Sequence, residues 1–179
     1  RDVSSENQKS VEGAMMHSDT YLGDSSMDMY DFLKGVIPTG NINFIRSLKI
    51  QKLVEDAIVP NYAHPDDSGM DLYALESGII PVGNRKLIRT GIAIQLPPHT
   101  EAQIRPKSGL ALNNGISVTN SPGTIDEGYR GEIKIILENR GASPFIVTKG
   151  QKIAQMVVCP VERPQIQVVA NLSNTERGE

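Results

Sequence analysis

From Leu48 onward the sequence is written in short runs of β-branched and aliphatic residues, each closed by a turn former, and this rhythm constrains the fold more than any other feature. Runs at 48–54, 79–82, 86–88, 92–96, 102–105, 116–119, 132–138, 145–147, 153–158 and 166–169 are too short for helices and suit strands. Between them stand Pro81, Gly83-Asn84, Pro97-Pro98, Asn113-Asn114-Gly115, Pro122-Gly123, Gly141 and Gly150, which fix φ or supply a positive φ and so end strands. Strands at this spacing predict an all-β sandwich or barrel, and only 110–112 reads as a short helical turn. In Ile133-Lys134-Ile135-Ile136-Leu137 the two-residue side-chain period puts Ile133, Ile135 and Leu137 on one face and Ile136 on the other. A strand apolar on both faces asks for cover on both, and a second subunit is one way to supply it.

Residues 1–46 lack this alternation and are rich in serine, acids and methionine, so they are read as an N-terminal extension, disordered or partly helical. Met27, Tyr30, Leu33 and Val36 recur every three residues there, as one face of a short helix would. Isolated helices under about 12 residues are marginal in water, and a docking segment for a partner is the alternative reading. The β domain is then 47–170, with 171–179 as the start of a C-terminal arm. A net charge of -3 argues against a nucleic-acid partner, which calls for a basic footprint. No apolar run approaches the ~20 residues needed to cross a bilayer. Cys159, the only cysteine, can form no intrachain disulfide; it sits in an apolar run as a packing residue and fits a reducing compartment, the cytoplasm.

Chemistry-bearing residues concentrate in two turn-like segments, Arg105-Pro106-Lys107-Ser108-Gly109-Leu110-Ala111 and Gly123-Thr124-Ile125-Asp126-Glu127-Gly128-Tyr129-Arg130-Gly131-Glu132-Ile133. Neither a Gly-x-x-x-x-Gly-Lys-Ser/Thr loop nor a Gly-x-Gly-x-x-Gly is present, His17, His64 and His99 lack zinc-ligand spacing, and Ser108 lacks a Gly-x-Ser-x-Gly frame. Lys107, Ser108 and Gly109 offer an ammonium, a hydroxyl and an uncrowded backbone N–H to phosphate oxygens, with Arg105 in reserve. Taken alone, they also read as a solvated basic turn. Asp126, ionised at neutral pH, can take a proton from a positioned water, or it can merely cap its own turn. Tyr129 offers a flat face with a polar tip. Asp71, in Ser68-Gly69-Met70-Asp71-Leu72, is a second carboxylate able to face magnesium-bound water.

In their order along the chain, Ser68-Gly69-Met70-Asp71-Leu72-Tyr73, the two segments above and Gly150-Gln151-Lys152-Ile153-Ala154-Gln155-Met156 resemble four of the five signature motifs of the trimeric dUTPases, over roughly 48–178. The resemblance implies a jelly-roll-like β fold, a homotrimer with active sites between subunits, Mg2+ on the triphosphate, and hydrolysis of dUTP to dUMP and pyrophosphate. By matching position it makes Asp126 the base that deprotonates the water attacking the α-phosphorus. Lys107, Ser108, Gly109 and Gln155 would hold phosphate, and Asp71 would reach the metal through water. Asn120, Gly123, Thr124 and Ile125 would read uracil along a hairpin, and Tyr129 would pack on deoxyribose. Lys107 stands where many members carry Arg, trading a planar fork for a point charge and shifting weight to Arg105. Thr175-Glu176-Arg177-Gly178 resembles the opening of the fifth motif, with Arg177 as its phosphate clamp; the Gly-rich continuation with an aromatic lid is not among the 179 residues. The rival readings are a dCTP deaminase-like or bifunctional enzyme of the same fold, and a nucleotide-gated regulatory protein.

Overall fold

A computed structural model describes residues 47–177, and within them the all-β expectation holds. The extension 1–46, with its Met27 to Val36 face, lies outside the described residues, as does Gly178. Among the described residues the strands are β1 (Lys49–Lys52), β2 (Met70–Tyr73), β3 (Gly78–Ile80), β4 (Arg85–Arg89), β5 (Ile92–Gln95), β6 (Thr100–Arg105), β7 (Ile116–Val118), β8 (Gly123–Ile125), β9 (Lys134–Asn139), β10 (Phe145–Val147) and β11 (Lys152–Pro160). One helix, α1 (Ser108–Asn114), follows β6 and extends the expected turn in both directions. The strands form a jelly-roll-like set of antiparallel sheets: β2-β11-β6-β8, β4-β9-β7, and the pairs β1-β5 and β3-β10.

The period-2 pattern decides which side chains enter the core. Along β6, Thr100, Ala102 and Ile104 are buried while Glu101, Gln103 and Arg105 face outward. Ile104 lies between Met156 and Gly123 in register, and Met156 lies beside Met70, so this inner row closes the core under the four-stranded sheet. Ile133, Ile135 and Leu137 are fully buried as expected. Each such side chain contributes about 1.5–3 kcal/mol of hydrophobic stabilisation. Ile136, on the opposite face, is half-buried opposite the exposed Leu87. Asn139, also fully buried, is satisfied by the carbonyls of Ile80 and Ser143 and by the N–H of Gly141.

Three details depart from the sequence reading. β2 and β8 are strands outside the expected runs. Residues 166–169 are not a strand: Ile166 and Val168 are 91% and 95% exposed, because alternation makes a strand only where a neighbouring strand pairs with it, and the chain after Pro160 finds none among the described residues. Cys159 is half-buried on the outer face, where Nη2 of Arg105 approaches its Sγ at 3.9 Å, rather than in the core. No helix of the described residues is long and apolar enough to cross a membrane.

The C-terminus of α1 is fixed by glycine. Gly115 adopts φ 67° and returns its N–H to Ala111 and Leu110, and a Cβ there would lie 2.5 Å from the backbone nitrogen of Gly141. Arg140 donates its N–H to the carbonyl of Gly115, so the turn after β9 clamps the helix whose first residues are Ser108 and Gly109.

Candidate active site

Strand register assembles one half of the site. Asp71 on β2 stands opposite Gln155 on β11, and Gln155 stands opposite Arg105 on β6. Residues directly opposite in antiparallel strands project to the same side, so three separate motifs meet in one row across the sheet. Gln155 donates from Nε2 to the carbonyl of Pro106 at 3.0 Å, which ties the row to the turn leading into α1. Its Oε1 passes over Gly69, where an added Cβ would come within 2.5 Å of it. Gly69 is therefore the seat of Gln155, a role that sequence reading missed because glycine in Ser68-Gly69 carries no chemistry of its own.

Asp71 is buried, yet it stays charged. Burial pushes its carboxyl up, and hydrogen bonds and charge from Lys107 and Lys152 outweigh this, so its pKa falls below the ordinary carboxylate value. Nζ of Lys107 holds Oδ1, and Nζ of Lys152 lies 2.7 Å from Oδ2. The pairing raises the pKa of Lys152 in turn. Lys152 was legible only as part of a motif string; its partner is on a distant strand.

Ser108 and Gly109 open α1 on the exposed surface next to Lys107. The first N–H groups of a helix have no intrahelical partner, and no side chain caps them here, so they present donors beside the ammonium. Arg105 does not join them through its guanidinium. It turns back along β6, donating to Oε1 of Gln103 from Nε at 3.1 Å and from Nη2 at 2.6 Å.

The other half is a turn after β8. Asp126 is exposed, and its carbonyl accepts the N–H of Tyr129 at 3.0 Å. The Tyr129 hydroxyl donates to the carbonyl of Glu132 at 3.0 Å, and the ring lies over Gly131, where a Cβ would collide with that hydroxyl. Glu132 closes the segment. Its side chain, 10% exposed, accepts Nε of Arg89 on both oxygens at 3.1 Å and the N–H of Gly91 at 2.9 Å. Upstream, Asn120 folds over Gly123, whose Cβ would meet its Nδ2 at 3.0 Å, and Thr124 is exposed beside the half-buried Ile125. The Ser121–Pro122 bond is cis.

Register also separates the two halves within one chain. Ile125 pairs with Ala102, so Asp126 lies one position further toward the start of β6, whereas the row of Asp71 and Gln155 crosses β6 at Arg105. Four strand positions amount to about 13 Å along the strand. Arg177 lies at the exposed end of the arm, its carbonyl accepting the Thr175 hydroxyl at 2.5 Å. No group of three or more His, Cys, Asp or Glu able to hold a metal occurs among the described residues. A single carboxylate already flanked by two ammonium groups, with lone pairs to spare, suits a water-mediated contact to an ion carried by a ligand.

The dUTPase family model matches residues 55–179. The deoxyuridine 5'-triphosphate nucleotidohydrolase of Clostridium kluyveri is 62% identical over 92 residues, which are 51% of this chain and 64% of that protein. The one of Gloeothece citriformis is 63% identical over 91 residues, 51% of this chain and 63% of that protein. The chain thus spans less than two thirds of the length of these relatives. Among solved structures, the dUTPase of Staphylococcus bacteriophage 80alpha with dUpNHpp superposes with a TM-score of 0.69 at 23% identity, covering 74% of this chain and 94% of that one. The dUTPase from phage phi11 of S. aureus, described with a structural Mg(II) ion, gives 0.66 at 21% identity, covering 70% and 97%. At such identities the likeness is one of fold.

Proposed function

The chain belongs to the dUTPase family, and from this premise we propose that it hydrolyses dUTP to dUMP and pyrophosphate in the cytoplasm, as a homotrimer whose sites form between subunits. The observation that carries the reading is the row of Asp71, Gln155 and Arg105 with Lys107 bound at its end, because it draws three motifs of the family onto one face, beside the Lys107 ammonium and the uncapped N–H groups that open α1. The separation of Asp126 from that row supports the intersubunit site: an acid about 13 Å from the donors it must serve needs a second copy to supply them. The β domain, 47–170, forms the body, and 171–179 begins the arm that brings Arg177 to the triphosphate.

In this mechanism Asp126 takes a proton from water as its oxygen bonds the α-phosphorus, and the anhydride bond to the β-phosphate breaks in line. Ser108, the Gly109 N–H, Lys107 and Gln155 receive the charge that grows on the phosphate oxygens, preorganised donors being worth most where charge develops. Magnesium bound with the triphosphate would neutralise part of its charge, and Asp71 is the residue that would hold it through water. Lys107 would then turn from Asp71 to phosphate while Lys152 stays on the carboxylate. The hairpin at Asn120, Gly123, Thr124 and Ile125 reads uracil and leaves no room for a 5-methyl group. Tyr129 packs on the deoxyribose and crowds out a 2′-hydroxyl.

Incubation of the chain with magnesium and dUTP, dTTP, dCTP or UTP, following pyrophosphate, tests this. One methyl discriminates by roughly 10–200-fold, so release from dUTP should lead by at least about tenfold. Comparable rates on all four would sink the reading, and ammonia released from dCTP would turn it toward a deaminase.

A further inference from the structure

Glu127 gathers three distant parts of the chain. Its Oε2 accepts the backbone N–H of His99 at 3.1 Å and pairs with Nη1 of Arg163 at 3.0 Å, while its carbonyl accepts Nη1 of Arg130 at 2.6 Å. His99 is the one non-glycine residue with positive φ among the described residues, at 59°. A side chain with a β-carbon keeps that conformation only where surrounding contacts overdetermine it. Here the backbone of His99 is bonded on both sides: its N–H to Glu127, its carbonyl to the N–H of Val161 at 3.0 Å. Val161 directly follows β11, so the turn before β6, the turn bearing Asp126 and the root of the C-terminal arm meet at one carboxylate.

Asp126 immediately precedes Glu127. Its own side chain is exposed and makes no hydrogen bond or ion pair among the described residues, and Gly128 beyond has open space around it. Glu127, half-buried and drawn back onto the body of the domain, is thus the side-chain anchor next to the acid. We propose that Glu127 is a positioning residue. Together with Arg163 it couples the root of the C-terminal arm to the direction in which Asp126 presents its carboxylate. This rests on the reading of Asp126 as the base. It deepens that reading, because an arm whose root is bound to the base-bearing turn cannot shift without moving the base.

An exposed pair of this kind adds little to stability: the side chains of Arg163 and Glu127 are 52% and 35% exposed. A purely structural role would therefore leave turnover untouched. A displacement of about 1 Å at a reacting group can cost on the order of 10²-fold, so loosening the anchor should cost about tenfold in kcat, with KM within about twofold. The test uses the whole chain with magnesium and dUTP, in Glu127→Gln, Arg163→Gln and the double variant. In Glu127→Gln the side-chain amide still offers an oxygen to the His99 N–H, which isolates the charge. Both single variants should lose kcat, and the double should be no worse than either, since residues acting through one contact are non-additive. Wild-type kcat in both single variants, or losses that multiply in the double, would overturn the proposal. If the wild type releases no pyrophosphate from dUTP, the functional reading fails separately. Amide exchange over residues 124–130 then decides: faster exchange in Arg163→Gln supports the anchor, and unchanged exchange refutes it.

Discussion

The row of Asp71, Gln155 and Arg105 and the Asp126 turn are held by different kinds of bonding. Asp71, Gln155 and Arg105 are placed by backbone ladders between β2, β11 and β6, so their spacing is as rigid as the sheet. Asp126 sits on a turn whose position depends on side chains: Tyr129 to the Glu132 carbonyl, Arg130 to the carbonyls of Glu127 and Tyr129, Glu132 to Arg89 and Gly91. Under the proposed function the first half would receive a charged ligand, which calls for fixed donors. The second would deliver a base to a water, which calls for aim. Substitutions in the ladder half should therefore register in stability and binding together, and those in the turn half mainly in turnover and nucleotide choice, with small effects on stability.

The largest effect should come from Asp126→Asn. An exposed turn residue whose side chain makes no bond among the described residues changes stability by no more than about 0.5 kcal/mol, while removal of a general base costs on the order of 10²–10⁴-fold in kcat. Paired measurements of thermal midpoint and dUTP turnover check this. A loss of stability as large as the loss of rate would erase the distinction between the halves, and near-normal turnover would remove Asp126 from its role.

Asp71→Asn should act oppositely, lowering stability first. A charged hydrogen bond to a buried carboxylate is worth about 1.5–3 kcal/mol, and the substitution deprives Lys107 and Lys152 of their shared anion; water screens the half-exposed Lys152, so the loss falls mainly on the Lys107 contact. The pH dependence has a defined sign. Burial opposes ionisation of Asp71 but the two lysines prevail, so the folded pKa lies below the unfolded one. A depressed carboxylate gives its full stabilisation above the unfolded value, about 3.9, and loses it as pH falls through the folded value. Urea midpoints of wild type and Asp71→Asn should thus differ at pH 7 and begin to converge only below about pH 4. A gap that ignores pH would show that shape, rather than charge, is what the position supplies.

Legibility followed the range of the interactions. Strand runs such as Ile92 to Leu96 and the alternation of β6 were readable because side-chain period is a local property. The same locality misled at residues 166–169, where alternation exists without a partner strand. β2 escaped notice because an acid interrupts it, and the burial of Asp71 is made tolerable only by lysines brought from the ends of β6 and β11. Motif resemblance named Asp71, Lys107, Ser108, Gln155 and Asp126, but it could not name Gly69 and Gly131, which matter for what passes over them. Nor could it single out Lys152 or Glu132, whose partners are remote in sequence.

The smallest effect tests the turn half most finely. Tyr129→Phe removes one hydrogen bond, from the hydroxyl to the Glu132 carbonyl, and keeps the ring over Gly131. A net hydrogen bond is worth about 0.5–1.5 kcal/mol, and Tyr129 is 43% exposed, so the lower figure applies because water can replace the lost donor. The proposed packing on deoxyribose would use the ring face, which phenylalanine retains; the preference for dUTP over UTP should therefore stay within about twofold of wild type, a change of about 0.4 kcal/mol by the tenfold-per-1.36 rule. Tyr129→Ala should lose the preference. Competition assays with both nucleotides measure it, and a Tyr129→Phe enzyme that fails on dUTP would mean that the hydroxyl, rather than the ring, is the part the site requires.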